Sequence, residues 1–123
     1  MSRPHRGVIL YVEDEIDTRD AVTVVLEQEG FTVFGAANGQ TALDYLRSNP
    51  PPCLILLDLM VPVMDGWQFM AERARDPDLL AIPVVIVSAH TSVQRQTTPL
   101  KAAGYLTKPI DMEQLIATVG KFC

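Results

Sequence analysis

The chain has 123 residues, of which 48% are hydrophobic and 20% charged, and a formal net charge of -5. That length excludes two ordinary domains, the composition excludes an intrinsically disordered chain, and the acidic balance argues against phosphate-backbone binding, so no direct nucleic-acid contact is expected. No apolar stretch approaches membrane-spanning length, and the apolar run after the basic "MSRPHRG" is too short for a signal peptide.

The first apolar run, "VILYV" (Val8 to Val12), predicts a strand. A helix follows in which Val22, Val25, Leu26 and Glu29 share a face, with Gly30 as its C-terminal stop. "FTVFGA" (Phe31 to Ala36) is a second strand, and its Thr32 and Gly35 place it at an edge. Asn38 can cap a second helix that lines up Ala42, Leu43 and Leu46 and ends at "NPPP", a stiff turn. "CLILLD" (Cys53 to Asp58) is the third strand. Asp65 then caps a helix carrying Trp67, Met70, Ala71 and Ala74, with Pro77 beyond its end. "PVVIVS" (Pro83 to Ser88) is the fourth strand. The segment after it, "TSVQRQTTPLKAAG", has few apolar residues and contains Pro99, so its helix should be short, distorted or mobile. "GYLT" (Gly104 to Thr107) is the fifth strand, and Asp111 with Gln114 resembles a capping box for a last helix striped by Leu115, Ile116, Val119 and Phe122.

Strands alternating with helices predict an α/β domain on a parallel sheet covered on both faces. The first, third and fourth strands are nearly all apolar and should be central. Cys53 reads as a small buried apolar side chain unrelated to Cys123, and neither has metal-ligand spacing. A reducing cytoplasm is the expected compartment.

In a parallel sheet all carboxyl ends of the strands share one edge, so residues just past them meet. Those positions hold Glu13 and Asp14, Asp58, Ser88 and Lys108. Two like charges ~4 Å apart at an effective dielectric of ~20 repel by roughly 4 kcal/mol, so such acids call for a cation. An all-oxygen donor set favours a hard divalent ion, Mg²⁺ above all. An ion, a lysine and a hydroxyl around one exposed carboxylate are what a phosphoryl group needs, and the carboxylate itself can be the nucleophile. Asp58 is the best placed.

The stretches "VEDE", "LLDLMVPVMDG", "VIVSA" and "YLTKP", in that order and spacing, resemble the receiver domain of two-component response regulators, from about Val8 to Phe122. The resemblance implies a five-stranded parallel sheet of order 2-1-3-4-5 (the flavodoxin-like receiver fold), with residues 1–7 a flexible N-terminus and 8–123 the receiver domain. It implies that Asp58 accepts a phosphoryl group from a histidine kinase or phosphotransfer protein, that Glu13, Asp14, Asp58 and the Met60 carbonyl hold Mg²⁺, and that Ser88 and Lys108 contact the phosphoryl group. Pro62, Asp65 and Gly66 would shape a loop holding Asp58 open to solvent, and Lys108-Pro109 matches the family's cis peptide. Met60 and His90 match positions that modulate hydrolysis, and Ser88 and Tyr105 match the family's switch pair. The stretch from Ser88 to Lys108 is shorter than the family's usual pattern.

The resulting expectation is a self-phosphorylating and self-dephosphorylating signalling module rather than a turnover enzyme. A small phosphatase with an aspartyl-phosphate intermediate is the alternative, but it would favour an acid where Met60 stands. A nucleotide-binding module would need glycines where "VEDEIDT" is acidic.

Overall fold

The computed structural model describes residues 6–89 and 101–123, and the expectations on His90 and on most of the Pro99-containing segment fall outside them. The elements run β1 (Val8–Val12), α1 (Ile16–Gln28), β2 (Thr32–Ala36), α2 (Gly39–Ser48), β3 (Leu54–Asp58), α3 (Gly66–Ala74), a single-turn α4 (Pro77–Leu80), β4 (Val84–Ala89), β5 (Gly104–Lys108) and, last in the chain, α5 (Met112–Gly120). All strand pairs are parallel and the sheet order is β2-β1-β3-β4-β5, so the three apolar runs are indeed central.

Alternation along the central strands builds two cores. Leu10, Val12, Ile55, Leu57, Val84 and Ile86 face α2 and α3. Ile9, Tyr11, Leu54, Leu56, Val85 and Val87 face the other way, against Val22 and Leu26 of α1 and Leu115 and Val119 of α5. A strand buried on both sides cannot slip by one residue without exchanging its whole set of side chains, so the register that aligns the strand ends is fixed.

Helix starts follow the predicted caps. Asn38 accepts from the Thr41 N–H, Asp65 closes a reciprocal capping box with Gln68, and Asp111 accepts from the Gln114 N–H. Gly30 ends the first helical segment at φ 96°, a conformation that favours glycine.

Two expectations are corrected. The buried face of α3 is Phe69, Met70 and Arg73, while Ala71 and Ala74 are exposed. Arg73 turns inward because its guanidinium donates to the carbonyls of Leu80 and Ile82. Pro77 lies beyond the end of α3, as expected, and opens α4, where a residue without an N–H belongs. Cys53 and Cys123 are joined in a disulfide, with 5.6 Å between their Cα atoms. Cys53 leads into the amino end of β3, and α5 runs back along the sheet, so the final residue arrives at the same edge.

Candidate functional site

Fixed register places the ends of β1, β3, β4 and β5 side by side, with Asp58 paired to Val87 and Ser88 to Thr107. Glu13, Asp14 and Asp58 each direct one carboxylate oxygen into a cluster in which these atoms lie within 4.8 Å of one another. Lys108 Nζ donates to Glu13 Oε1 at 2.6 Å and to Asp58 Oδ2 at 2.7 Å. The Met60 N–H donates to Asp58 Oδ1 at 3.0 Å, and the Glu15 N–H to Glu13 Oε2 at 3.2 Å. Ser88 Oγ is fully buried with no hydrogen-bond partner among the described residues.

The loop from Leu59 to Asp65 is gripped from two sides. Gly66 donates its N–H to the Leu59 carbonyl, and a Cβ there would sit 2.6 Å from Leu59 Cα. Gly39, at the start of α2, donates to the Met64 carbonyl, and a Cβ there would meet that oxygen at 2.6 Å. At the exposed tip, Val63 adopts φ 67° and the Met64 N–H donates back to the Pro62 carbonyl at 2.7 Å, a γ-turn of the rare positive-φ kind.

Burial and charge set the protonation of the group. Burial raises Glu13 above the usual carboxylate range; the Lys108 and Glu15 donors oppose that and the Asp58 charge adds to it. For Lys108, burial pulls downward, but hydrogen bonds to Asp58 and Glu13 outweigh it and hold the ammonium above its ordinary value. A hard cation fits the donor set: the three acids present oxygen only, and their repulsion is met by one lysine.

The profile of the response regulator receiver domain matches residues 9–120. The chain belongs to that family. It is 41% identical over 119 residues to the alkaline phosphatase synthesis transcriptional regulatory protein SphR of Synechococcus elongatus, covering 89% of this chain and 46% of that protein, so the chain spans about half the length of this relative. A CheY-like response regulator receiver domain protein of Methanospirillum hungatei superimposes with a TM-score of 0.84 at 30% identity, over 96% of this chain and 94% of that one. The Mn²⁺-bound form of response regulator Rcp1 superimposes with a TM-score of 0.77 at 31% identity, over 94% and 90% of the two chains.

This receiver domain thus brings Glu13, Asp14, Asp58, Ser88 and Lys108 to one edge, with the Lys108-Pro109 peptide cis. Asp58 is not held open to solvent, however: it is 4% exposed, closed over by Lys108. Met60 is 67% exposed beside it, and Tyr105 is half exposed on β5, paired with Ile86 rather than Ser88. Sequence reasoning passed over two residues. Arg19 reaches from α1 across Gly35, where a Cβ would meet its chain at 2.8 Å, to donate to the Glu13 carbonyl at 2.8 Å. Tyr11 places its hydroxyl 3.4 Å from Glu13 Oε1. Its signal was a hydroxyl-bearing aromatic in an aliphatic run, two residues before an acid and therefore on the same face of the strand.

Proposed function

We propose that the protein is a phosphorylation-switched signalling domain in which Asp58 accepts a phosphoryl group from a phosphohistidine on a kinase or phosphotransfer protein. The observation that carries this reading is Lys108 bridging Asp58 and Glu13 inside an all-oxygen cluster beside an orphaned Ser88 hydroxyl. In this reading Glu13, Asp14, Asp58 and the Met60 carbonyl hold Mg²⁺, which when bound neutralises charge on the transferring group. A Mn²⁺-bound relative, Rcp1, supports a divalent cation.

An Asp58 carboxylate oxygen attacks phosphorus, the P–O bond forms as the P–N bond to the donor imidazole breaks, and the departing nitrogen takes the bonding pair, the proton already on the other ring nitrogen leaving the donor as neutral imidazole. Lys108, already 2.7 Å from Asp58, exchanges a carboxylate oxygen for a phosphoryl oxygen, and the Ser88 hydroxyl gains its missing acceptor. Water attack on phosphorus later releases phosphate and restores the carboxylate. Met60, two residues on, offers no acid to hasten that step, which supports a slow switch over a turnover enzyme. A pocket of about 340 Å³ lined by Thr18, Ala21, Pro109, Ile110 and Met112 opens beside Lys108 and gives the donor protein a largely apolar place to dock. The movement of Ser88 toward the phosphoryl group would be read out through Tyr105 on β5.

Incubation with Mg²⁺ and a small acyl phosphate should add one phosphoryl group, labile to hydroxylamine, and a chelator should prevent it. No uptake by the wild type, or undiminished uptake by Asp58→Ala, refutes the proposal.

A further inference from the structure

The Glu13 carboxylate is longer by one methylene than its neighbours Asp14 and Asp58, so fixing it as a ligand requires ordering one more torsion. What fixes it lies beneath it. Tyr11 is 0% exposed and is the largest fully buried side chain among the described residues. Its ring is enclosed by the α1 and α5 face of the sheet, with Val22, Leu26, Leu56, Val87 and Leu106 in the same cluster. A phenol so placed is cut off from bulk solvent and favours an acceptor within the protein. That acceptor is Glu13 Oε1, at 3.4 Å.

We propose that Tyr11 is a positioning residue of the cation site, its immobile hydroxyl holding the Glu13 carboxylate toward Asp14 and Asp58. The inference rests on the cation reading above. Arg19 completes the arrangement by pinning the Glu13 backbone carbonyl at 2.8 Å, with Gly35, the register partner of Tyr11 on β2, leaving room for its chain to pass. Lys108 also donates to Glu13 Oε1, but its side chain is 30% exposed and is shared with Asp58. Once Lys108 turns to a phosphoryl group, the Tyr11 hydroxyl and the Glu15 N–H are the described donors left to orient Glu13. The contact is long for an O–H···O bond, which leaves it room to shorten as Glu13 is drawn into place. Groups that orient a ligand in this way commonly contribute ten- to hundredfold to metal affinity.

Tyr11→Phe removes one oxygen and keeps the ring. Isothermal titration with Mg²⁺ should show its affinity weakened about tenfold. At saturating Mg²⁺ the rate of acyl-phosphate uptake should return to that of the wild type, because Asp58, Ser88 and Lys108 are untouched. Val22→Ala, which removes volume from the same core without contacting Glu13, should lower the Tm and leave Mg²⁺ affinity unchanged. Unaltered Mg²⁺ affinity in Tyr11→Phe, or a rate deficit that saturating Mg²⁺ does not correct, would overturn the role of Tyr11. A wild type that binds no Mg²⁺ would instead overturn the cation reading itself.

Discussion

Val63 holds φ 67° at the tip of the loop that follows Asp58, and its branched side chain is 81% exposed, so no packing compensates for the backbone. A left-handed conformation costs an ordinary residue about 1–2 kcal/mol, of which glycine's greater freedom in the unfolded chain returns part. Val63→Gly should therefore raise stability by about 0.5–1 kcal/mol, seen as a higher urea midpoint with unchanged slope. A lower midpoint would show that the strain is not there. At Glu13 the cost is electrostatic. A carboxyl that holds its proton more tightly when folded contributes stability fully present below its ordinary value of 4.5, lost as pH rises through the raised folded value. Without divalent cations, the stability of Glu13→Gln relative to the wild type should thus grow as pH rises through that window. Urea midpoints across pH that run parallel for the two proteins would contradict it.

The elements whose identity depends on local pattern could be read directly: continuous apolar runs gave the central strands, and Asn38, Asp65 and Asp111 gave three helix starts. The face of α3 could not, because its inward Arg73 is satisfied by carbonyls seven and nine residues away, and hydrophobic period counts such a residue as outward. The approach of α3 to the site depends on Gly66, whose absent side chain lets the helix start against Leu59 and the Asp58 carbonyl. Gly66→Ala forces backbone against backbone and should cost about 1–3 kcal/mol in chemical denaturation, with weakened acyl-phosphate uptake as the loop carrying Asp58 shifts. A variant of wild-type stability would mean that the helix start yields without cost.

Across the whole molecule, what the sequence could not disclose is what depends on partners distant along the chain. Convergence of Glu13, Asp14, Asp58, Ser88 and Lys108 on one edge follows from parallel topology, whereas the closure of Asp58 under Lys108 depends on where one lysine, 50 residues away, turns. The disulfide is of the same kind: Cys53 and Cys123 are 70 residues apart and meet only because α5 returns the chain end to the amino edge of β3. Cross-linking so long a loop restricts the unfolded chain far more than the folded one, and typically stabilises by about 2–4 kcal/mol. Reduction by a dithiol, or Cys53→Ser, should remove that contribution. The urea slope should also steepen, since the unfolded chain expands once the link is cut. The bond lies at the sheet edge opposite Asp58, so acyl-phosphate uptake by the reduced, still folded protein should match that of the oxidised form. Reduced and oxidised protein of equal midpoint and slope, with alkylation confirming two thiols and none respectively, would show that the link adds nothing to the fold.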